Sequence, residues 1–263
     1  MTAMKVKKLT DWLTAQYPPS MAEDWDNVGL LVGDDTREVN HVFLALDLTE
    51  DTLEQAVTAG ADMIITHHPM IFGGIKKINN HSFTGRRILK LIRNDIQYYA
   101  MHTNYDVLGM ADLSADYLEL TDREVLSVTA ETENRVEGFG RVGNLPSEMT
   151  LKECGEFVKK ALSLNDVKIY GDPERKVRKA AICTGSGKSM ISDVLAKGAD
   201  VYVTGDIDHH TGIDTVAEGL TIIDAGHYGT EYIFMEAMKE KLNKAFNDLK
   251  ITCAKVKSPY TIL

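Results

Sequence analysis

The sequence predicts an α/β fold with mainly parallel sheets. Short apolar segments of strand length alternate with segments of helical periodicity, an order typical of βαβ units. Metal-ligating residue types follow three of the apolar segments, and the last third of the chain repeats features of the first. We therefore expect two similar α/β halves, residues 1–124 and 179–263, related by a pseudo-two-fold axis. A compact bridging segment, 125–178, joins them, and the halves pack as one structural unit.

The first half alternates helices and strands. Helices are predicted at 5–17, 49–59 and 84–94, and strands at 41–47, 62–66 and 97–101. The first helix is amphipathic, with apolar residues at helical spacing on one face. Thr49, or alternatively Thr52, is placed as the N-cap of the second helix, and Gly60 is placed to end it. Each predicted strand is an apolar run short enough to be buried in a sheet.

The bridging segment and the second half continue the pattern. Strand-like runs are predicted at 125–130, 136–143, 167–170 and 179–183, and a helix at 150–163. Thr150 and Glu153 have the spacing of a capping box at the start of this helix. The bridge has no low-complexity or Pro/Ser-rich stretch, which indicates a folded segment and not a linker.

An internal repeat connects the two halves. Residues 56–68 (AVTAGADMIITHH) and 194–206 (VLAKGADVYVTGD) share Gly-Ala-Asp followed four residues later by Thr. The next predicted strand of each half is followed by a histidine and, four residues later, a carboxylate. These pairs are His102 with Asp106 and His227 with Glu231. Three matching features in the same order indicate an internal duplication.

Composition excludes several classes of protein. The chain has 263 residues, 44% of them apolar, and a net charge of −10, so no broad surface for nucleic acid or anionic membrane is expected. It contains no run of about 18 apolar residues that spans a bilayer, and its first residues lack the apolar core of a signal peptide. The three widely spaced cysteines are predicted to be buried reduced thiols of a cytoplasmic protein.

Polar residues at the predicted strand ends suggest a metal site. In parallel α/β sheets, ligands bind beyond the carboxyl ends of the strands. The candidates are His67, His68, His102, Asp106, His227 and Glu231. Imidazole and carboxylate together suit zinc, iron, manganese, cobalt or nickel. Two adjacent histidines at a strand end point in different directions. Such a pair suits two ions, or one ligand and one group outside the coordination shell, better than it suits a single ion. We expect the site in the cleft between the halves.

The isolated His41 and His81 are predicted to be ordinary surface or hydrogen-bonded residues.

Five segments give the chain a resemblance to a known family. They are WDNVGLLVG (25–33), GADMIITHHPMIF (60–72), HTNYD (102–106), TGDIDHH (204–210) and DAGHYGTE (224–231). Over essentially its whole length the chain resembles the GTP cyclohydrolase I type 2 homologue family, also called the Nif-three-like family. The resemblance implies two related α/β halves, a dinuclear metal site and a ring-shaped homohexamer with its metal sites facing the interior.

The resemblance also implies a ligand set. His68 and Asp106 would hold one ion, His67 and His227 would hold the other, and Glu231 would bridge both. Some relatives carry a large domain inserted between the halves, and this chain is too short to contain it.

Three further segments carry candidate roles. TGSGKS (184–189) lacks the glycine that a Walker A loop requires at the position of Ile182, so it is either a simple strand-to-helix turn or a turn that binds an anion. Trp25 is predicted to pack in the core. Asp26 and Asn27 either reach the cleft or cap a turn, and we favour the turn.

Residues near 206–210 correspond to the His67-His68 strand end. Asp206, Asp208, His209 and His210 are either second-layer, proton-donating or substrate-contacting groups, or a solvated loop. We select His210, together with His102, as candidate catalytic acid or base.

These features favour a metal-dependent hydrolase. Its substrate would be a small molecule, and GTP ring opening, nucleotides, phosphoesters and cyclic amides all fit such a site. The alternative is a metal-handling protein or metal-dependent scaffold without chemistry. A nucleotide-binding α/β protein without metal is a third interpretation, and it depends on TGSGKS. Spare proton-transfer groups near the ligands favour the enzyme.

Overall fold

The computed structural model describes residues 4–132 and 135–262. The chain forms two compact units. Unit 1 runs to Tyr105 and includes Phe234–Lys257, whereas unit 2 comprises Asp106–Ile233 and the residues after Lys257. The predicted bridging segment therefore lies within unit 2.

The helices and strands follow the predicted order. The helices are α1 (Val6–Gln16), α2 (Glu50–Ala59), α3 (Phe83–Arg93), α4 (Thr103–Tyr105), α5 (Ala111–Tyr117), α6 (Leu151–Ala161), α7 (Ile191–Ala196), α8 (His209–Ala217), α9 (His227–Glu231) and α10 (Ile233–Ala245). The strands are β1 (Gly29–Val32), β2 (His41–Ala45), β3 (Met63–Thr66), β4 (Gln97–Ala100), β5 (Thr121–Thr132), β6 (Arg135–Thr150), β7 (Lys168–Tyr170), β8 (Lys176–Ser186), β9 (Val201–Gly205), β10 (Thr221–Asp224) and β11 (Lys250–Cys253). Short 3₁₀ turns lie at Pro19–Met21 and Lys188–Met190, and a π-helical turn at Asp106–Met110.

Unit 1 contains a five-stranded sheet in the order β1-β4-β3-β2-β11. The strands from β4 to β11 run parallel, and only β1, at the edge, is antiparallel to its neighbour. The residues of β2, β3 and β4 are all buried, as expected for parallel strands covered on both faces. The carboxyl ends of β3 and β4 therefore lie side by side.

Unit 2 contains a six-stranded sheet in the order β5-β6-β8-β9-β10-β7. Only β8, β9 and β10 run parallel, and the other three pairings are antiparallel. The α/β class is confirmed, but this sheet is mixed and not mainly parallel. β5 and β6 are long strands that follow one another in the chain and pair antiparallel, and the short edge strand β7 pairs antiparallel with β10.

The capping signals in the sequence correspond to real helix ends. Thr49 accepts a hydrogen bond from the backbone of Thr52 at the start of α2, and Gly60 ends this helix in a left-handed conformation. Thr150 and Glu153 form the predicted capping box of α6. Local side-chain chemistry thus sets these boundaries.

The two Gly-Ala-Asp segments make equivalent contacts, each in its own unit. The Asp62 carboxylate accepts backbone N–H groups of Asn40 and His41 at 2.8 and 2.9 Å. The Asp200 carboxylate accepts those of Arg178 and Lys179, both at 2.9 Å. Asp62 therefore holds the start of β2, and Asp200 holds the third and fourth residues of β8. These contacts support the internal duplication, and the pseudo-two-fold relation between the halves stays a prediction.

The apolar interior is conventional. Unit 2 buries a cluster that includes Leu126, Val142, Tyr202 and Ile222 between its sheet and helices. No helix in the described part of the chain has the length and apolar character needed to cross a bilayer.

Candidate metal centre

The histidines predicted as ligands in unit 1 lie together at the ends of two adjacent strands. His67 and His68 follow β3 directly, and His102 lies two residues beyond β4. One ring nitrogen of each imidazole lies within 4.8 Å of the others. The turn after β3 is held in place because the Thr66 hydroxyl donates to the carbonyl of His68 at 2.7 Å.

Both adjacent histidines are hydrogen-bonded at Nδ1. His67 is fully buried, and its Nδ1 lies 3.0 Å from the carbonyl oxygen of Met101. Because a carbonyl only accepts, this nitrogen carries the proton. Nδ1 of His68 lies 2.8 Å from the carboxylate of Asp47, which follows β2. Both rings are thus fixed in the tautomer in which Nε2 is the metal-binding nitrogen.

His102 is held by a buried carboxylate. Its Nδ1 lies 3.0 Å from Asp26, whose side chain is fully buried and also accepts the backbone N–H of Thr103 at 3.0 Å and its hydroxyl at 2.5 Å. Burial raises the pKa of Asp26, but the hydrogen bonds from His102 and Thr103 outweigh it and hold the pKa well below its usual value. Asp26 does accept the N–H of Asn27, as a capping residue would. Its additional contact with His102 agrees with the less favoured alternative, in which the Asp26 side chain reaches the candidate site.

Trp25 does not pack in the core, so that prediction is wrong. Its side chain is 59% exposed, and its ring meets His102 edge-on at 5.9 Å between centroids. The physical reason is that the neighbouring Asp26 takes the buried position, where it has hydrogen-bond donors, and this leaves Trp25 on the outside.

Unit 2 holds the three remaining predicted ligands. His227 and Glu231 are four residues apart on α9, a spacing that places them on the same helix face, and Nε2 of His227 lies 3.0 Å from the Glu231 carboxylate. A carboxylate oxygen of Asp106, the first residue of the π-helical turn, lies within 4.8 Å of one from Glu231. Glu231 is buried and Asp106 half-buried. Such turns often occur at functional sites.

His227 has the same Nδ1 arrangement as the histidines of unit 1. Its Nδ1 lies 2.7 Å from the carboxylate of Asp206. Asp206 follows β9 and has a φ of 58°, a left-handed conformation that aspartate adopts more readily than most residues. The loop is held by buried Asp224, which accepts the N–H groups of Ile207 at 3.3 Å and Gly226 at 3.0 Å.

The TGSGKS segment packs against the unit 2 carboxylates. Gly185 has a φ of 68°, and a Cβ at this position would clash with the Glu231 carboxylate. The N–H groups of Gly185 and Gly187 donate to the hydroxyls of Thr230 and Thr204 at 2.9 and 3.1 Å. These two N–H groups are thus used within the protein, which favours the simple turn over the anion-binding turn.

A thiol lies close to these carboxylates. Burial raises the pKa of Cys183 to about 12, and the charges of Asp106 and Glu231 act in the same direction. Cys183 is thus a neutral thiol. All three cysteines are free, as predicted, and Cys154 and Cys183 are buried, but Cys253 is only partly buried, so its predicted burial is wrong.

The structure separates the residues of the 206–210 segment. Asp206 is the partner of His227, whereas Asp208 caps α8 by accepting the N–H of Thr211 at 3.0 Å. His209 and His210 are exposed in the first turn of α8, and their rings contact each other at 5.2 Å. A catalytic role for His210 stays a prediction.

The two isolated histidines have ordinary surroundings. His41 is buried and hydrogen-bonded to Gly60 and Thr252, and His81 is exposed. The partner that sequence reasoning missed is Asp47. Asp47 follows β2 as His67 follows β3, so the strand-end rule that found the histidines also points to it.

The donor set fits divalent cations. Imidazole nitrogens with carboxylate or carbonyl partners at Nδ1, next to buried carboxylates, are the usual surroundings of zinc, iron, manganese and similar ions. The arrangement in each unit is therefore compatible with metal binding.

Comparisons with known proteins agree with the motifs. The model of the Duf34/NIF3 (NGG1p interacting factor 3) family matches residues 4–259. A Clostridium acetobutylicum protein named GTP cyclohydrolase 1 type 2 homolog is 35% identical over 251 residues, which cover 95% of this chain and 93% of that protein.

Solved structures show the same fold. A Bacillus cereus protein related to NIF3 is similar with a TM-score of 0.91 and 26% identity, with 100% of both chains covered. A hypothetical protein of Staphylococcus aureus has a TM-score of 0.89 and 30% identity, with 99% of this chain and 100% of that chain covered.

Proposed function

Because the chain belongs to the Duf34/NIF3 family, we propose that it is a dinuclear divalent-metal protein and a metal-dependent hydrolase. The proposed ligands are three histidines and two carboxylates: His67, His68, Asp106, His227 and Glu231. The resemblance described above assigns them to two ions, with Glu231 as the bridge. The ions are zinc, iron, manganese, cobalt or nickel, and their supply in the cell decides among them.

One observation carries the proposal. Each proposed ligand histidine has its Nδ1 against a fixed acceptor: Met101 for His67, Asp47 for His68 and Asp206 for His227. Metal-binding histidines almost always have such a partner, which sets the tautomer and the direction of the ring. Histidines with purely structural roles need not share one Nδ1 arrangement. Here three histidines on different segments do.

When bound, divalent ions supply Lewis acidity toward a carbonyl or phosphoryl oxygen and make water nucleophilic near neutral pH. The protein residues orient the substrate and move protons. His102 is the proposed general acid or base, since Asp26 fixes its ring at Nδ1 and leaves Nε2 as the nitrogen that exchanges a proton with the reacting group. His210 is the second candidate for this role.

The proposed substrate is a small molecule, and nucleotides are the first class to test. The curated relatives are named as homologues of a GTP cyclohydrolase, and this name supports a nucleotide or a cyclic amide as the first compounds to test. Phosphoester hydrolysis fits the same donor set.

A hydrolysis panel tests the enzyme. Metal-loaded protein is assayed on GTP, other nucleotides and phosphodiesters, beside His102→Asn, His210→Asn and the exposed control His81→Asn. We expect hydrolysis that falls roughly 100-fold or more in His102→Asn with metal content retained, and no change in His81→Asn. Full metal occupancy without activity on the panel would instead support the metal-handling or scaffold function.

The proposal includes a cytoplasmic location and a homohexamer. Three free cysteines suit a reducing compartment. The hexamer follows from the family resemblance alone. Light scattering should then give a mass about six times the 29.2 kDa of one chain, and a monomeric mass would remove this part of the proposal.

A further inference from the structure

Two exposed aromatic rings in unit 1 flank the same histidine. Trp25 and Phe72 are 59% and 53% exposed, and their rings meet His102 at 5.9 and 5.8 Å between centroids. Both meet it nearly at right angles, at 73° and 82°. His102 in turn contacts the rings of His67 and His68 at 5.2 and 5.5 Å. The exposed rings are thus one ring away from two proposed metal ligands.

The backbone beside each aromatic ring is held by hydrogen bonds. Asp26, next to Trp25, is bonded to His102 and to Thr103. The Asn27 side-chain amide donates to the carbonyl of Ile71, next to Phe72, at 2.6 Å. The segment that carries Trp25 is therefore connected to the loop that carries Phe72, and both are connected to His102.

Core packing does not explain this arrangement. A single exposed aromatic side chain is ordinary in a soluble protein. Here two large rings stay mostly in water beside the same histidine, on backbone whose neighbouring residues Asp26, Asn27 and Ile71 are hydrogen-bonded. Rigid, half-exposed aromatic rings beside convergent polar groups are typical of sites that bind planar ligands by stacking.

We propose that Trp25 and Phe72 form an aromatic clamp that binds the planar heteroaromatic ring of a small-molecule substrate, of the nucleobase class, next to His102. The clamp rests on the proposed function, because it places the substrate at the proposed hydrolase site. It adds the chemical class of the substrate that this site binds. Stacking on an aromatic side chain tolerates different bases, since each has a π-face. The clamp therefore selects a planar ring, and the identity of the base is left to other contacts.

Trp25 provides its own signal. The chain has two tryptophans, and the other, Trp12, packs edge-on against Phe246 at 5.6 Å. In a Trp12→Phe background the emission comes from Trp25 alone. Metal-loaded protein of this background is titrated with GMP, and with ribose 5-phosphate as a probe that has the same phosphate and sugar class but no base.

We expect saturable quenching of Trp25 by GMP and none by ribose 5-phosphate. In the same background Phe72→Ala should weaken GMP binding about fivefold or more, as expected for loss of one stacking partner. Phe72→Tyr keeps the ring and should restore binding. Phe83→Ala is the matched control, because Phe83 is 55% exposed but packs on Arg87. It should leave binding unchanged.

Other results would overturn the clamp. These are no quenching, equal quenching by ribose 5-phosphate, or the same loss in Phe83→Ala as in Phe72→Ala. Trp25 emission that changes with protein concentration and is unaffected by GMP would mean that the rings contact a second copy of the chain, and this also overturns the proposal.

Metal content measured on the same samples separates the two proposals. If GMP quenches Trp25 and this depends on the Phe72 ring, but the protein holds no ions, the result supports the clamp and counts against the metal function. Bound ions without quenching would leave the metal function standing and remove the clamp.

Discussion

At the residue scale, the candidate centre includes carboxylates that hold the histidines in place and are not themselves proposed as metal ligands. Asp47 and Asp206 each accept the Nδ1 hydrogen of a proposed ligand histidine, although both carboxylates are about half exposed. Their partners, His68 and His227, thereby have a fixed ring direction. The energy of metal binding is then not spent on ordering these rings.

Replacing these carboxylates should weaken metal binding without removing a ligand. We expect Asp47→Asn and Asp206→Asn each to lower the affinity for a divalent ion by about 10- to 100-fold. Competition with a chelating dye measures this affinity. Asp208→Asn, which changes a helix cap on the same loop, is the control. Equal affinity in all three variants would show that the Nδ1 contacts have no role in metal binding.

A second prediction at this scale concerns Gly185. Its left-handed φ of 68° and its closeness to Glu231 leave no room for a side chain. Gly185→Ala should therefore displace the Glu231 carboxylate, lowering both metal content and thermal stability. Gly198→Ala is the control for strain, because Gly198 has a φ of 64° with open space around it. Normal metal content in Gly185→Ala would contradict the placement of Glu231.

His41 links stability to pH. Burial lowers its pKa below the ordinary value of 6.5. Below about pH 6.5 the unfolded chain therefore binds more protons at this position than the folded chain, and the free energy of unfolding falls as the pH is lowered toward the folded-state pKa.

His41→Gln should flatten this dependence, and denaturant unfolding at several pH values measures it. The exposed His81→Gln should leave the slope as it is. An unchanged slope in His41→Gln would show that other groups set the acid sensitivity.

At the element scale, the two Gly-Ala-Asp segments make equivalent contacts, each within its own unit. Each follows a helix with a left-handed glycine and uses its aspartate to accept two backbone N–H groups of a neighbouring strand or of the residue before it. This equivalence was visible in the sequence as a repeated motif.

Matched substitutions test this equivalence. Asp62→Ala and Asp200→Ala each remove an acceptor of two backbone N–H groups, so each should lower the free energy of unfolding by roughly 1–3 kcal/mol. Denaturant unfolding gives both values, with the exposed Asp214→Ala on α8 as the control. A large loss in one variant and none in the other would contradict equivalent roles.

Most elements were predictable because their signals are local. Helical periodicity, caps and buried runs identified α2, α6 and the strands that precede the candidate ligands. The antiparallel pairings of unit 2 were not predictable, since strand direction depends on which distant segments pair. The burial of Asp26 and exposure of Trp25 were missed for the same reason, because the donors that hold Asp26 lie about 80 residues further along the chain.

At the scale of the whole molecule, the sequence pointed to the candidate ligands and to Asp206, whereas the contacts at the Nδ1 atoms became visible only in the structure. Histidine and carboxylate at strand ends are visible in one sequence, and the family match over residues 4–259 agrees with the motifs that contain them. The acceptors at Nδ1 are set by tertiary structure. Metal bound only by the folded chain also stabilises it, so chelation should lower the melting temperature of loaded protein.

The most direct test of the central claim is metal content per chain, by elemental analysis of protein purified without chelators or a His-tag, beside Glu231→Ala. Because Glu231 is the proposed bridge, we expect about two divalent ions per chain in the natural protein and a sharp fall in the variant. Glu236→Ala, at a solvent-facing position on α10, should keep both ions. Substoichiometric metal that is the same in all three proteins would contradict a dinuclear centre.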